Sequence, residues 1–186
     1  MEIEAKYEIG SEEDYKKLLK YLGISKVEKL TNYYLKGEPE DHKWMIRLRE
    51  SAGGWLLTIK GLSEQINGIF QREERELHIS AREARELMDG RAQVLNRLGI
   101  KNYIKLVQLG KNTVRRAKAW IEDCEVAVDE VTLPDGTRYF ELEVEAESPQ
   151  KAQDTAMKIL ERTKVSFKPS SKGKFDRTLE SLERIQ

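Results

Sequence analysis

The sequence predicts an α+β fold: an eight-stranded antiparallel β-barrel with helices packed on its outside. Three observations lead there. Eight stretches read as strands, and four of them, 1–9, 43–50, 54–61 and 137–147, set charged residues against apolar ones with a period of two, the mark of two unlike faces. Three further stretches carry apolar stripes at helical spacing and need an apolar surface to cover. The apolar strand faces are the surface available, so the helices fall outside and the charged faces turn inward. About eight strands close into a barrel wide enough for side chains or one small ligand.

The first strand is expected over 1–9, where Glu2, Glu4 and Lys6 alternate with Ile3, Ala5 and Tyr7. Ser11-Glu-Glu-Asp14 has the form of a capping box ahead of Tyr15, Leu18, Leu19 and Leu22, and Gly23 is a natural stop. Strands over 28–36, 43–50 and 54–61 follow, the last two joined by the turn Ser51-Ala-Gly-Gly54. Arg47, Arg49, Thr58 and Lys60 occupy one face of that hairpin; Trp44, Ile46, Leu48, Trp55, Leu57 and Ile59 occupy the other. A strand over 68–79 groups Arg72, Glu74 and Glu76, although Glu73 and Arg75 make its other face charged as well. Ser80 and Glu83 open a second helix expected to run through Leu87, Met88, Val94, Leu95 and Leu98 to Gly99. Strands over 111–121, 124–133 and 137–147 come next, with Pro134-Asp-Gly136 as a turn. The last strand sets Glu141, Glu143 and Glu145 against Phe140, Leu142 and Val144. Ser148-Pro149 starts a third helix carrying Ala152, Ala156, Ile159 and Leu160, and a short helix follows Phe175.

At 186 residues the chain suits a single domain spanning 1–186. Lys plus Arg and Asp plus Glu number 33 each, so bulk positive charge is absent and a nucleic-acid partner is disfavoured. The lone Cys124 excludes an intrachain disulfide and a cysteine-based zinc site. No apolar run approaches the ~18 residues of a membrane span, and a cytoplasmic protein is expected. His42, in a polar turn, and His78, at a strand end, carry no recognisable site. What stands out is a lumen lined with Arg, Lys and Glu. Burying such charges is costly unless they pair or take up a ligand, and a polyanion beside a divalent metal satisfies both signs.

The ordered residues resemble a known family. Glu2-Ile-Glu4-Ala-Lys6 is similar to the Glu-x-Glu-x-Lys signature of the CYTH domain, or triphosphate tunnel metalloenzyme superfamily. It is followed in order by Tyr33-Tyr34, Arg47-x-Arg49, Leu57-Thr-Ile-Lys60-Gly61, Arg72-x-Glu74-x-Glu76, Thr113-Val-Arg115, Asp129-Glu-Val131, Glu141-x-Glu143-x-Glu145 and Lys172-Gly-Lys174-Phe-Asp-Arg177. The resemblance implies an eight-stranded antiparallel tunnel holding Mg²⁺ or Mn²⁺ and a small-molecule triphosphate, with a homodimer by analogy. Glu2, Glu4 and one or more of Glu141, Glu143 and Glu145 would hold the metal, a hard cation that takes oxygen ligands. Lys6, Arg47, Arg49, Lys60, Arg72, Arg115 and either Lys172 or Lys174 would bind the phosphates. Glu74 or Glu76 would orient the attacking water, and Lys6 belongs with them in the catalytic set. Asp129 would hold an arginine in place.

The chain departs from the family where a Lys-x-Arg pair is common: Lys111, Thr113, Arg115 and Arg116 compete for that role, and Arg115 is the expected one. Leu35 also follows the tyrosine pair where Asp is common. The expected function is a metal-dependent triphosphatase acting on inorganic tripolyphosphate or a nucleoside triphosphate. The alternatives are a class IV-like adenylyl cyclase producing cyclic AMP and pyrophosphate, and a polyphosphate- or nucleotide-binding module without turnover. No adenine pocket is evident, which ranks hydrolysis ahead of cyclisation.

Overall fold

The computed structural model describes residues 1–40 and 43–185; His42 lies outside the described residues. The elements are β1 (Glu2–Ile9), α1 (Glu12–Tyr21), β2 (Glu28–Glu38), β3 (Met45–Ser51), β4 (Gly54–Lys60), β5 (Glu64–Ile66), β6 (Ile69–Arg72), β7 (Glu74–Ile79), α2 (Ala81–Met88), β8 (Lys105–Ile121), β9 (Cys124–Thr132), β10 (Arg138–Glu145), α3 (Pro149–Thr163), β11 (Phe167–Pro169) and α4 (Lys174–Glu183). One antiparallel sheet runs β5-β6-β1-β10-β9-β8-β2-β3-β4-β7, with β11 added on β1. No helix among the described residues is long and apolar enough to cross a membrane.

The strand count rises from the expected eight to eleven through the short β5 and β11 and through a split of 68–79 into β6 and β7. That split is how the sheet curls round. Arg72 ends β6 opposite Glu2 of β1, and Glu74 opens β7 opposite Lys60 of β4. The ladder is therefore not closed by hydrogen bonds, but its two ends are joined by the chain itself at Glu73, whose carbonyl accepts from Gly61 N at 2.9 Å. β1 begins at Glu2, so β6 runs out of partner there and the chain turns to β4. β8 starts six residues earlier than expected, because past a bulge at Leu109 it also pairs with Leu35 to Glu38 of β2.

The helix expected from Ser80 to Gly99 is shorter. Gly90, at φ +93, lets Gly90 N reach Leu87 O at 3.0 Å and Arg91 N reach Glu86 O at 2.9 Å, a Schellman stop. A 3-10 turn, Gln93–Leu98, carries the remaining apolar residues. The capping box at Ser80 and Glu83 is formed.

Two apolar cores lie on the outside of the sheet. Ala5, Tyr7, Val126, Val128, Leu142 and Val144 meet Leu18 of α1 and Ala156 and Ile159 of α3. Ile46, Leu48, Leu57 and Ile59 meet Ala84 and Leu87 of α2 and Val94 and Leu95 of the 3-10 turn. Each fully buried Leu or Ile stabilises by about 1.5–3 kcal/mol. A smaller apolar row, Leu30, Val114 and Val131, crosses β2, β8 and β9 in register on the inner face.

The fourth helix differs from the other three in its seat. α4 packs on the inner face of β8, where a Cβ at Gly110 would lie 2.5 Å from Leu182 Cδ1. Glycine is required there by close approach. The helix plugs one end of the tunnel and presents its first residue, Lys174, to the lumen.

Candidate active site

Strand alternation delivers the lumen lining. β1 turns Glu2, Glu4 and Lys6 inward, each at most 8% exposed, while Ala5 and Tyr7 enter the outer core. β10 faces β1 with Glu145 opposite Glu4 and Glu143 opposite Lys6. β3 contributes Arg47 and Arg49, β4 contributes Thr58 and Lys60, and β6 and β7 contribute Arg72, Glu74 and Glu76. All of these inward residues but Thr58 line a cavity of about 1000 Å³.

Most of these charges are paired, in one network joined through shared carboxylates. Lys60 Nζ lies 2.6 and 2.8 Å from the two oxygens of Glu2 and 3.1 Å from Glu74. Arg72 spans Glu2 and Glu4 through Nε at 2.7 Å and Nη2 at 2.6 Å. Lys6 Nζ bridges Glu4 at 3.0 Å and Glu143 at 2.9 Å. Deeper in, Lys174 Nζ lies 2.7 Å from Glu143 and 2.9 Å from Asp129, and also meets Glu141. Arg116 donates through Nε to Asp129 Oδ1 at 2.8 Å and also reaches Glu143.

The pairing sets the proton affinities. Burial alone would raise Glu143, but Lys174, Lys6 and Arg116 hold it well below the usual carboxylate range. Burial opposes the charged form of Lys174 too, yet Asp129, Glu141 and Glu143 raise its pKa well above the ordinary lysine value. Glu141 goes the other way: burial outweighs Lys174 and pushes it up to about 6.

Two places are left short of countercharge. Burial, then the neighbouring Arg47 and Arg116, bring the Arg49 guanidinium down to about 9. Arg49 has no carboxylate partner among the described residues; Nε donates to Asn32 Oδ1 at 2.9 Å. Arg47 reaches Glu74 and Glu76 only at 3.8 Å, and its buried Nε has no hydrogen-bond partner. The second place is Glu145 at the rim. Glu145 is exposed, but its partial loss of solvent, then the facing carboxylates of Glu2, Glu125, Glu4 and Glu74, raise its pKa from 4.5 to about 7.

Two groups of carboxylates could hold a metal. Ligand atoms of Asp129, Glu141 and Glu143 lie within 4.8 Å of one another, but the Lys174 ammonium sits among them and supplies the positive charge. Glu145 lies opposite Glu4 on the β1–β10 ladder and has no cation partner among the described residues, so with Glu2 and Glu4, which are paired with Lys60, Arg72 and Lys6, it could offer oxygen donors once drawn together. Hard oxygen donors of this kind suit Mg²⁺ or Mn²⁺.

Not every expected residue reaches the lumen. Arg115 points outward, its side chain 63% exposed beside Glu130 at 3.3 Å, and Arg116 takes the inward position. The reason is parity: the inner face of β8 carries Asn112 and Val114, so the next inward residue is 116. Lys172 is also outside, paired with Glu180, since it precedes the start of α4. Asp129 holds an arginine as expected, and that arginine is Arg116. Tyr34 is buried and packs edge-on against Phe175, whereas Tyr33 donates to Glu50 at 3.3 Å on the outer side. Sequence reasoning passed over Asn32 and Asn112. Their signal was an amide on the inner face of two strands, a residue type that strands disfavour.

The fold and its lining define a tunnel-type β protein with a charged lumen plugged at one end by a helix. The CYTH domain family profile matches residues 1–178, and the chain belongs to that family. Among solved structures, the chain is similar to a candidate adenylyl cyclase from Hippeastrum described as having a dominant triphosphatase activity, at 19% identity and TM-score 0.81 over 97% of this chain and 96% of that one. It is similar to a candidate adenylate cyclase from Bacillus halodurans at 23% identity and TM-score 0.74, over 95% and 96% of the two chains. A protein from Pyrococcus horikoshii matches at 21% identity and TM-score 0.66, over the full length of both. At these identities the likeness is one of fold. No curated protein sequence matches the chain.

Proposed function

We propose that the protein is a divalent-metal-dependent triphosphatase that hydrolyses inorganic tripolyphosphate or a nucleoside triphosphate in its tunnel. The observation that carries this reading is the pair of unmet charges across one cavity: Arg49 and the orphaned Arg47 Nε on one side, Glu145 on the other. A phosphate chain carrying a divalent cation neutralises both. The Hippeastrum protein's triphosphatase activity supports the same choice.

In this reading Arg47, Arg49 and Arg116 grip phosphate oxygens, the planar guanidinium forks suiting two oxygens at a time. Lys60 and Arg72 serve both sides, holding Glu2 and Glu4 in place while facing the same cavity. Glu2, Glu4 and Glu145 would hold Mg²⁺ or Mn²⁺, which when bound draws charge from the phosphate oxygens. Lys6, anchored between Glu4 and Glu143, supplies a proton-bearing group beside the developing charge of the leaving oxygen. Glu76, which accepts from Thr58 Oγ1 at 3.0 Å, and Glu74 flank Arg47 and orient a water for in-line attack.

The cyclase reading has one observation in its favour. The same cavity is lined by Trp44, Met45 and Tyr103 as well as by charges, enough apolar surface for a nucleobase. Incubating the purified protein with tripolyphosphate and with ATP, each with Mg²⁺ and with Mn²⁺, separates the readings. Orthophosphate with no cyclic AMP is the expected product. Cyclic AMP with pyrophosphate would transfer the chain to the cyclase reading, and tight binding without turnover would leave a binding module.

A further inference from the structure

Asn32, Asn112 and Thr178 form a buried line of hydrogen bonds that begins at the Arg49 guanidinium and ends on the plug helix. Arg49 Nε donates to Asn32 Oδ1 at 2.9 Å, and Asn32 Nδ2 donates to Asn112 Oδ1 at 3.0 Å. Asn112 Nδ2 donates to Thr178 Oγ1 at 2.8 Å and to Tyr34 OH at 3.3 Å. Thr178 Oγ1 in turn donates to Lys174 O, the first carbonyl of α4, at 2.7 Å. Exposures of 0%, 2% and 0% along the three residues leave no water to compete.

The direction of this line is fixed by its ends. A guanidinium only donates and a carbonyl only accepts, so each amide must turn its oxygen toward Arg49 and its NH₂ toward α4. A flip at either asparagine sets donor against donor or acceptor against acceptor, which in a buried site costs heavily. Two asparagines opposite one another on neighbouring strands are tolerated here because every link is satisfied. Arg116 is braced by Asp129, and Arg47 has carboxylates at 3.8 Å. For Arg49 the only brace among the described residues is Asn32.

We propose that Asn32, Asn112 and Thr178 are positioning residues that aim the Arg49 guanidinium into the lumen when α4 is seated, coupling anion binding at Arg49 to docking of the plug helix. The proposal rests on the reading of the lumen as a triphosphate site. By linkage the coupling runs both ways: an anion on Arg49 tightens α4 by the factor that a seated α4 tightens the anion.

The test uses Thr178→Val, which removes the link, and Thr178→Ser, which keeps it. Tripolyphosphate binding is measured by calorimetry, and solvent exchange of the Arg49 Nε–H by nitrogen-15 NMR, with Arg49→Lys assigning the signal. Thr178→Val should weaken tripolyphosphate binding on the order of tenfold, within the usual range of site-to-site coupling. Thr178→Ser should restore it, and in an Arg49→Ala background Thr178→Val should change affinity less than about twofold, because the two act through one line. Arg49 Nε–H exchange should speed up about tenfold in Thr178→Val as the local brace opens more often. Asn112→Leu cuts the line from the strand side and should give the same exchange result if the Thr178 variant does not fold. An equal affinity loss with and without Arg49, or Nε–H exchange indifferent to both cuts, overturns the coupling. If the wild-type protein binds no tripolyphosphate, the function reading fails while the exchange measurement still decides the line.

Discussion

The two sides of the lumen solve the same problem differently. On the β1–β10 side, acids and bases alternate, and Glu2, Glu4 and Glu143 each touch at least two cations within 3.0 Å or closer contact. On the β3 side, Arg47 and Arg49 stand beside one another and beside Arg116 with less countercharge than they need, and burial with mutual repulsion lowers Arg49 to about 9. The first arrangement is self-sufficient except at its rim, where Glu145 is left over. Under the proposed function, an anion completes the second. A satisfied buried network rigidifies the fold, whereas a partly satisfied one is costly unless something else pairs with it.

That contrast can be broken from either side. The largest effect should come from Glu4→Gln. Glu4 braces Arg72 and Lys6 and belongs to the candidate metal set, so phosphate release should fall on the order of 10²–10³-fold, as when one charge-stabilising group is removed from an active site. Breaking a buried pair also costs about 3–5 kcal/mol, so the melting temperature should fall as well. Undiminished turnover in this variant removes Glu4 from the site.

Arg49→Ala should act mainly on binding. It should weaken tripolyphosphate binding by about 1.5–3 kcal/mol, the loss of a charged hydrogen bond, with a smaller stability penalty than Glu4→Gln, since it leaves Asn32 Oδ1 without its donor but strands no buried charge. Isothermal titration beside a melting curve checks both halves. Arg116→Ala against Arg115→Ala sharpens the same point on one strand. The first strips Asp129 and Glu143 of a buried partner and should destabilise and inactivate. The second loses an exposed pair worth about 0–1 kcal/mol and should do neither.

The smallest effect is a pH dependence at the rim. Glu145 has a folded pKa near 7 against 4.5 unperturbed, so the native state binds the proton more tightly than the unfolded chain. Its contribution to stability is fully present below about 4.5 and is lost as pH rises through about 7. Glu145→Gln should therefore melt higher than the wild type at pH 8, with the gap closing toward pH 5. Saturating Mn²⁺ should erase the gap at pH 8 by binding the wild type. Parallel melting curves across this range would mean that Glu145 is an ordinary surface acid.

Much of this lining was legible from alternation alone, because a strand with one apolar face declares the other. Glu2, Glu4, Lys6, Arg47, Arg49, Lys60 and Arg72 all fall where period two places them. Alternation fails when both faces carry charge. Arg115 and Arg116 are neighbours of the same type, and only the register of β8 against β9, which sets Arg116 opposite Asp129, distinguishes them. The clue was Asp129 itself, a charge set between Ala127 and Val131 on its face and in need of a cation across the ladder. Lys174 and Lys172 were inseparable for a different reason. Which one enters depends on where α4 begins and on its lodging inside the barrel, a long-range packing outcome that small residues such as Gly110 permit but do not announce. The division of 68–79 between two partners was likewise invisible, since β6 and β7 read as one strand until their neighbours are known.

The central claim is that the two sides complete each other through one ligand. Calorimetric titration of tripolyphosphate into the wild-type protein and into Glu4→Gln, with Mn²⁺ and with a chelator, tests it most directly. The account predicts binding in both conditions, at least about tenfold tighter with the cation in the wild type and no tighter in the variant, since the coupling free energy belongs to the acidic side. Equal affinity for tripolyphosphate with and without the cation in the wild type would contradict it.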